Sequence, residues 1–181
     1  MHDFIMIDIE ALGLSPGSVV TEVGAVTGDG HRFHVCIDAM SGIFAGLSVD
    51  QETVQWWHSQ RDGEAAKIYL QSVKYDCKDA LEMFATWLED HLTPETELWC
   101  QGTSYDFPLL EAAFRAIKVP VPWKFWQQRD SRTLFKVASS LGWERPKRDT
   151  KHNALQDAID QSEDLKDCQS WLANRISFSS T

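Results

Sequence analysis

The segment Phe4-Ile5-Met6-Ile7-Asp8-Ile9-Glu10-Ala11-Leu12-Gly13 sets two carboxylates on alternate positions of an apolar run that begins almost at the first residue. Alternate side chains of a strand share a face, so Asp8 and Glu10 are expected to project together at the carboxyl end of a buried strand. The apolar residues before them demand burial, and burying two like charges demands a counter-charge. An Arg partner can hide one acid, whereas a divalent ion accommodates both. The competing reading is a strand end with exposed acids.

A chain of 181 residues, 43% apolar with eight Trp and nine Phe, can build a substantial core as one domain, expected over 1–176 with a frayed tail at 177–181. Cys36, Cys77, Cys100 and Cys168 lie far apart and form no Cys-x-x-Cys pair, which favours a reducing, cytoplasmic setting over a disulfide framework. No basic segment leading into an apolar one opens the chain, and no apolar run approaches the roughly 18 residues that span a bilayer, so neither secretion nor a membrane is expected.

The net charge of −10 argues at first against a nucleic-acid partner, because Lys and Arg drive phosphate binding. The charge is segregated, however. From Arg115 to Lys151, ten basic residues stand against three acids, a local +7 that leaves −17 on the remainder. A basic segment on an acidic body suits a protein that grips a few phosphates locally, although a solvated loop and helix face would carry the same charge.

Strands are expected over Ile5 to Asp8, Val19 to Val26 and Arg32 to Asp38, joined by turns at Leu14-Ser15-Pro16-Gly17 and Gly28-Asp29-Gly30. Connections this short imply an antiparallel meander. Helical texture begins at Asp50 and returns over Asp76 to His91, where Ala80, Leu81, Phe84, Trp87 and Leu88 recur at helical spacing. A short strand over Glu97 to Gln101 precedes helices over Pro108 to Ile117, Ser131 to Leu141 and Asn153 to Ala173. The result is an α/β fold with a mixed sheet flanked by helices.

Asp106 follows the fourth strand just before Pro108, where composition alone reads it as a helix N-cap. The last helix opens with His152-Asn153-Ala154-Leu155-Gln156-Asp157, in which Asn153 and Gln156 fit a capping box. His152 and Asp157 then occupy the two positions that meet in a staple, bringing a titratable base beside a metal-competent acid. Taken alone, the pair also reads as a surface His beside a first-turn acid stabilised by the helix dipole.

The order Asp-x-Glu, Asp, His-x4-Asp resembles that of the DEDD superfamily of 3′→5′ exonucleases in its histidine-bearing branch, DEDDh. The likeness is nearest to phage and prophage exonucleases resembling exonuclease VIII and to RNase AS-type exoribonucleases. It is carried by Met6 to Gly13, Glu22-Val23-Gly24-Ala25, Thr53-Val54-Gln55-Trp56-Trp57, Tyr105-Asp106-Phe107-Pro108-Leu109-Leu110, Arg129-Asp130-Ser131-Arg132-Thr133 and His152 to Ala158, across nearly the whole chain. Ala11 departs from the Thr common after Asp-x-Glu, and Tyr105 stands where Asn is frequent.

The resemblance implies an RNase H-like sheet, antiparallel through its first three strands and then parallel. It implies a metal-dependent 3′→5′ exonuclease acting on single-stranded DNA or RNA and releasing nucleoside 5′-monophosphates. Asp8, Glu10, Asp106 and Asp157 would hold two Mg²⁺ or Mn²⁺ ions roughly 4 Å apart, with His152 as general base. Expected substrate contacts are the backbone around Ile9, Ala11 and Gly13, Leu12 as an apolar wedge, Trp57 and Phe107 as stacking partners, Arg132 toward phosphate, and Asn153. At least one of Trp56 and Trp57 is expected in the core, and Asp130 is expected to brace its loop by pairing with a neighbouring Arg. Cytoplasmic location in a bacterial cell or phage-infected host follows from the same likeness, as does a homodimer. Two other classes remain open: a non-catalytic nucleic-acid or nucleotide-binding module retaining the fold, and an interaction scaffold, which would need a broad exposed apolar surface.

Overall fold

The computed structural model describes residues 4–59, 71–148 and 152–178. Strands β1 (Phe4–Ala11), β2 (Val20–Thr27) and β3 (Arg32–Ile37) form the expected antiparallel meander. Helices α1 (Ala39–Phe44) and α2 (Gln51–Ser59) follow, then strand β4 (Lys74–Tyr75), helix α3 (Cys77–His91), strand β5 (Glu97–Cys100) and helix α4 (Asp106–Ala116). A 3-10 turn leads into strand β6 (Gln128–Asp130), and helices α5 (Ser131–Ser140) and α6 (Ala154–Phe178) complete the chain. The six strands lie in the order β4-β3-β2-β1-β5-β6, with β4, β5 and β6 each joining its neighbour in parallel. Among the described residues, no helix is long and apolar enough to cross a membrane.

The alternation in β1 distributes the core between the two faces of the sheet. Ile5, Ile7, Ile9 and Ala11 enter a cluster with Leu81, Phe84 and Leu88 of α3 and Leu109, Leu110 and Phe114 of α4. Phe4 and Met6 enter the opposite cluster with Phe135 and Ala138 of α5 and Ala158, Leu165 and Cys168 of α6. Asp8 and Glu10 continue the Phe4 and Met6 face, so they emerge where that second core ends. A register irregularity between Glu10 and Ala11 closes the strand beside them, a common way to re-aim side chains next to a site.

Helix α6 reaches this face because β2 leaves space for it. Gly24 lies opposite Asp8 in the ladder, and a side chain there would collide with the backbone carbonyl of Ala154. A glycine in a strand interior often marks such a close backbone approach.

The structure adds β4, β6 and α1 to the elements legible in sequence. Two- and three-residue polar edge strands carry no hydrophobic period, and α1 rests on local capping, with Asp38 accepting from the Met40 and Ser41 backbone N–H groups. The last helix runs beyond its expected end to Phe178, so the expected tail begins within it; 179–181 lie outside the described residues.

Replacing Gly24 with Ala should therefore push α6 off the sheet. A loss of about 1–3 kcal/mol in urea-induced unfolding is expected, the usual range for overpacking.

Candidate active site

The carboxylate oxygens of Asp8, Glu10 and Asp157 come within 4.8 Å of one another, joining the end of β1 to the first turn of α6. Asp106 enters from α4. It is the first residue of that helix and Tyr105 is its N-cap, so the expected capping role does not apply. Gly102, at φ 140°, turns the chain from β5 toward this helix start. The four acids share a cleft of about 710 Å³ with Gln101, Tyr105, Arg132, Arg145, Lys147, Arg148, His152 and Gln161.

The electrostatics of the cluster are those of crowded, buried acids. Burial pushes Asp106 up to about 7. Glu10 rises to about 8, through burial first and then through the neighbouring charges of Glu22, Asp157 and Asp106. Burial, then Asp106 and Glu10, also holds Asp8 well above the usual carboxylate range. An all-oxygen donor set this crowded fits hard divalent cations. Gln161, one turn beyond Asp157 on α6, fixes Asp8 by donating Nε2–H to Oδ1 at 2.8 Å.

A second network sets the start of α6. Asn153 Oδ1 accepts the Gln156 backbone N–H at 3.0 Å, the expected cap, while its Nδ2 donates to Glu22 Oε1 at 2.8 Å. The box is only half formed, since the Gln156 side chain turns outward to Asp160. Asn153 is thus engaged through both ends of its amide and acts as a brace between α6 and β2. His152 adopts φ 51°, in the left-handed region, and its ring meets Trp56 and Trp57 edge-on at centroid distances of 4.9 and 6.1 Å.

These tryptophans wall an adjoining cavity of about 800 Å³ that shares Glu10 and Tyr105 with the acidic cleft. Neither belongs to the core: Trp56 is 42% exposed, and Trp57 is partly buried with Nε1 donating to the Ala11 carbonyl at 3.0 Å. That places Ala11, itself buried, as the anchor of Trp57. Leu12 leans against the main core, and the exposed Leu14 lines the cavity instead. Gly13 packs against Ser18 with no room for a side chain. Phe107 is 1% exposed and packs against Trp123 at 5.8 Å, so the expected stacking on a base is not available from it.

The far wall is cationic. Arg132 lines the cleft and donates Nη2–H to the Gln101 carbonyl at 2.8 Å. Asp130 braces its loop by accepting the Arg132 backbone N–H and the Thr133 hydroxyl as the cap of α5, while Arg129 pairs with Glu97; this corrects the expected Asp–Arg pairing. Arg145 and Arg148 are both pinned by fully buried Asp164, at 2.7 and 2.8 Å. They carry Lys147 between them on the cleft rim. The sequence flagged this stretch only as a local excess of charge. Individual contributions from Gln161, Arg145 and Lys147 were unmarked, although Gln161 stands one helical turn after Asp157 and shares its face.

Four acids and a histidine gathered at the mouth of this sheet define a DEDDh 3′→5′ exonuclease. The chain belongs to the Rv2179c-like family of 3′-5′ exoribonuclease domains, whose model matches residues 3–169. It is 26% identical to an exodeoxyribonuclease of Enterobacteria phage T4, over 74% of this chain and 70% of that protein. Its fold is similar to that of the cell-death related nuclease 4 (CRN-4), with a TM-score of 0.59 at 9% identity, covering 94% of this chain and 64% of that one. It is likewise similar to the nuclease domain of 3′hExo, a DEDDh family member bound to rAMP, with a TM-score of 0.56 at 13% identity over 93% and 92% of the two chains.

The raised carboxyls set a pH dependence for the metal-free protein. An unfolded chain releases these protons at roughly pH 4, while the fold retains them on Glu10 until about 8 and on Asp106 until about 7. The fold therefore binds more protons across that window, and stability should fall as pH rises through it. Thermal unfolding in EDTA should show a lower Tm at pH 8 than at pH 5.5. Mn²⁺ should restore more at the higher pH, roughly 2–4 °C for each 1 kcal/mol recovered.

Proposed function

We propose that this metal-dependent 3′→5′ exonuclease shortens single-stranded nucleic acid and releases nucleoside 5′-monophosphates, with two Mg²⁺ or Mn²⁺ ions held by Asp8, Glu10, Asp106 and Asp157. The observation that carries the reading is the convergence of three carboxylate oxygens within 4.8 Å, with buried Asp106 and His152 lining the same cleft. Bound there, the ions would lower the pKa of water and neutralise charge on the phosphate and the leaving 3′ oxygen.

The protein's own groups supply the remainder. His152 accepts the proton of the attacking water on an imidazole nitrogen, its ring oriented by Trp56 and Trp57. The tryptophan-walled cavity receives the terminal nucleoside, with the exposed ring of Trp56 offering a stacking surface. Arg132 and Lys147 face the phosphates from the opposite wall. Gln161 keeps Asp8 aimed into the cluster. The exoribonuclease family and the phage exodeoxyribonuclease leave RNA and DNA as the two polymers to compare.

Matched 5′-labelled single strands of RNA and DNA, incubated with Mg²⁺, Mn²⁺ or EDTA, should shorten from the 3′ end only with metal. His152→Ala should reduce kcat by about 10²–10⁴, the range for a lost general base, and Asp157→Ala should abolish shortening. Intact substrate in every lane, with binding retained, would sink the proposal.

A further inference from the structure

A second set of metal-competent side chains stands one strand away from the catalytic acids. On β3, His34 and Cys36 share the face that Glu22 and Gly24 present on β2, with Cys36 opposite Glu22 and His34 opposite Gly24 in the ladder. The His34 ring reaches diagonally toward β2 and brings Nε2 within 2.6 Å of Glu22 Oε1. Cys36 Sγ lies 3.9 Å from the same nitrogen. One donor atom from each of the three residues falls within a 4.8 Å sphere of mutual distance. Glu22 and Cys36 are buried, whereas the His34 side chain is 29% exposed and opens a path to solvent.

We propose that Glu22, His34 and Cys36 form a binding site for a borderline divalent transition metal of the zinc class, adjoining the acidic cluster through the Glu10–Glu22 ladder pair but distinct from it in its donors. The donors decide the class. An oxygen, an imidazole nitrogen and a sulfur suit Zn²⁺ or Co²⁺, while Mg²⁺ requires hard oxygen ligands of the kind Asp8, Glu10 and Asp157 supply. The spacing agrees. With bonds of about 2.0–2.3 Å in a tetrahedral site, neighbouring donors stand roughly 3.3–3.6 Å apart, so the sulfur and nitrogen are nearly placed and the His34–Glu22 hydrogen bond opens by under ~1 Å to admit an ion. A fourth position toward the exposed edge of His34 is left for water. The ion would tie β3 to β2 and, through Glu22, adjoin the Asn153 cap that sets the start of α6.

The test uses the full chain with saturating Mg²⁺ and Co²⁺ alone as the probe. A sulfur-to-cobalt charge-transfer band in the near ultraviolet should grow to saturation at a single equivalent. Cys36→Ser should remove the band while keeping Mg²⁺-dependent exonuclease activity, which also reports that the variant is folded. His34→Gln, at a partly exposed side chain, should weaken Co²⁺ binding by about tenfold or more, since loss of a direct ligand costs at least what loss of an outer partner does. It remains informative should Cys36→Ser unfold. Cys100 is the control, because its thiol contacts Asp106 in the catalytic cluster, and Cys100→Ser should leave the band unchanged. Absence of the band in the unmodified chain, its survival in Cys36→Ser, or its loss in Cys100→Ser would overturn the proposal.

Discussion

Mutual repulsion among carboxylates on one face of the sheet is the constraint to which the surrounding structure answers. Asp8 and Glu10 leave β1 on the face that begins with Phe4 and Met6, and Asp157 and Asp106 are brought to them by two different helices. Burial first, and for Asp8 and Glu10 the neighbouring charges as well, raises Asp8, Glu10 and Asp106 above the usual carboxylate range, so these three favour holding protons over carrying charge. The fold keeps them together because apolar contacts on both faces of β1 outweigh the strain of assembling them. A divalent cation held by these acids would offset their repulsion.

The position of α6 matters as much as the acids it carries. It is set by a bare backbone contact at Gly24, by the Asn153 cap tied to Glu22, and by Gln161 reaching Asp8. Each links a residue of the first two strands to one more than a hundred positions later. Asp164, buried farther along the same helix, holds Arg145 and Arg148 and so shapes the cationic wall facing the acids. A single helix thus supplies one acid of the cluster, orients another and positions the opposing charge.

Much of this was legible in residue order because strand and helix periods are local. The alternation of β1, the meander of the first three strands and the helical spacing in α3 need no long-range knowledge. The acids of the cluster were legible for a related reason: acids in apolar surroundings are costly wherever they fall. The side chains that line the cavities were read less well. Phe107 and Leu12 are apolar residues beside catalytic positions, and only packing shows that the first belongs to the core while Leu14 lines the cavity. Trp56 and Trp57 erred in the other direction, since helical spacing suggested a buried face on a helix that buries none of its residues.

The chain by itself determined an α/β fold built on a buried strand with two acids, a helix opening on His152 and Asp157, and the chemistry these imply. Residue type and spacing suffice for that, because they act within one strand or one turn. Only the tertiary structure decided which side chains share a cleft, that Asn153 braces α6 against β2, that Arg145 and Arg148 are pinned by Asp164, and that Glu22, His34 and Cys36 meet. Those outcomes depend on which faces of distant elements pack together, and packing is settled by the whole core at once.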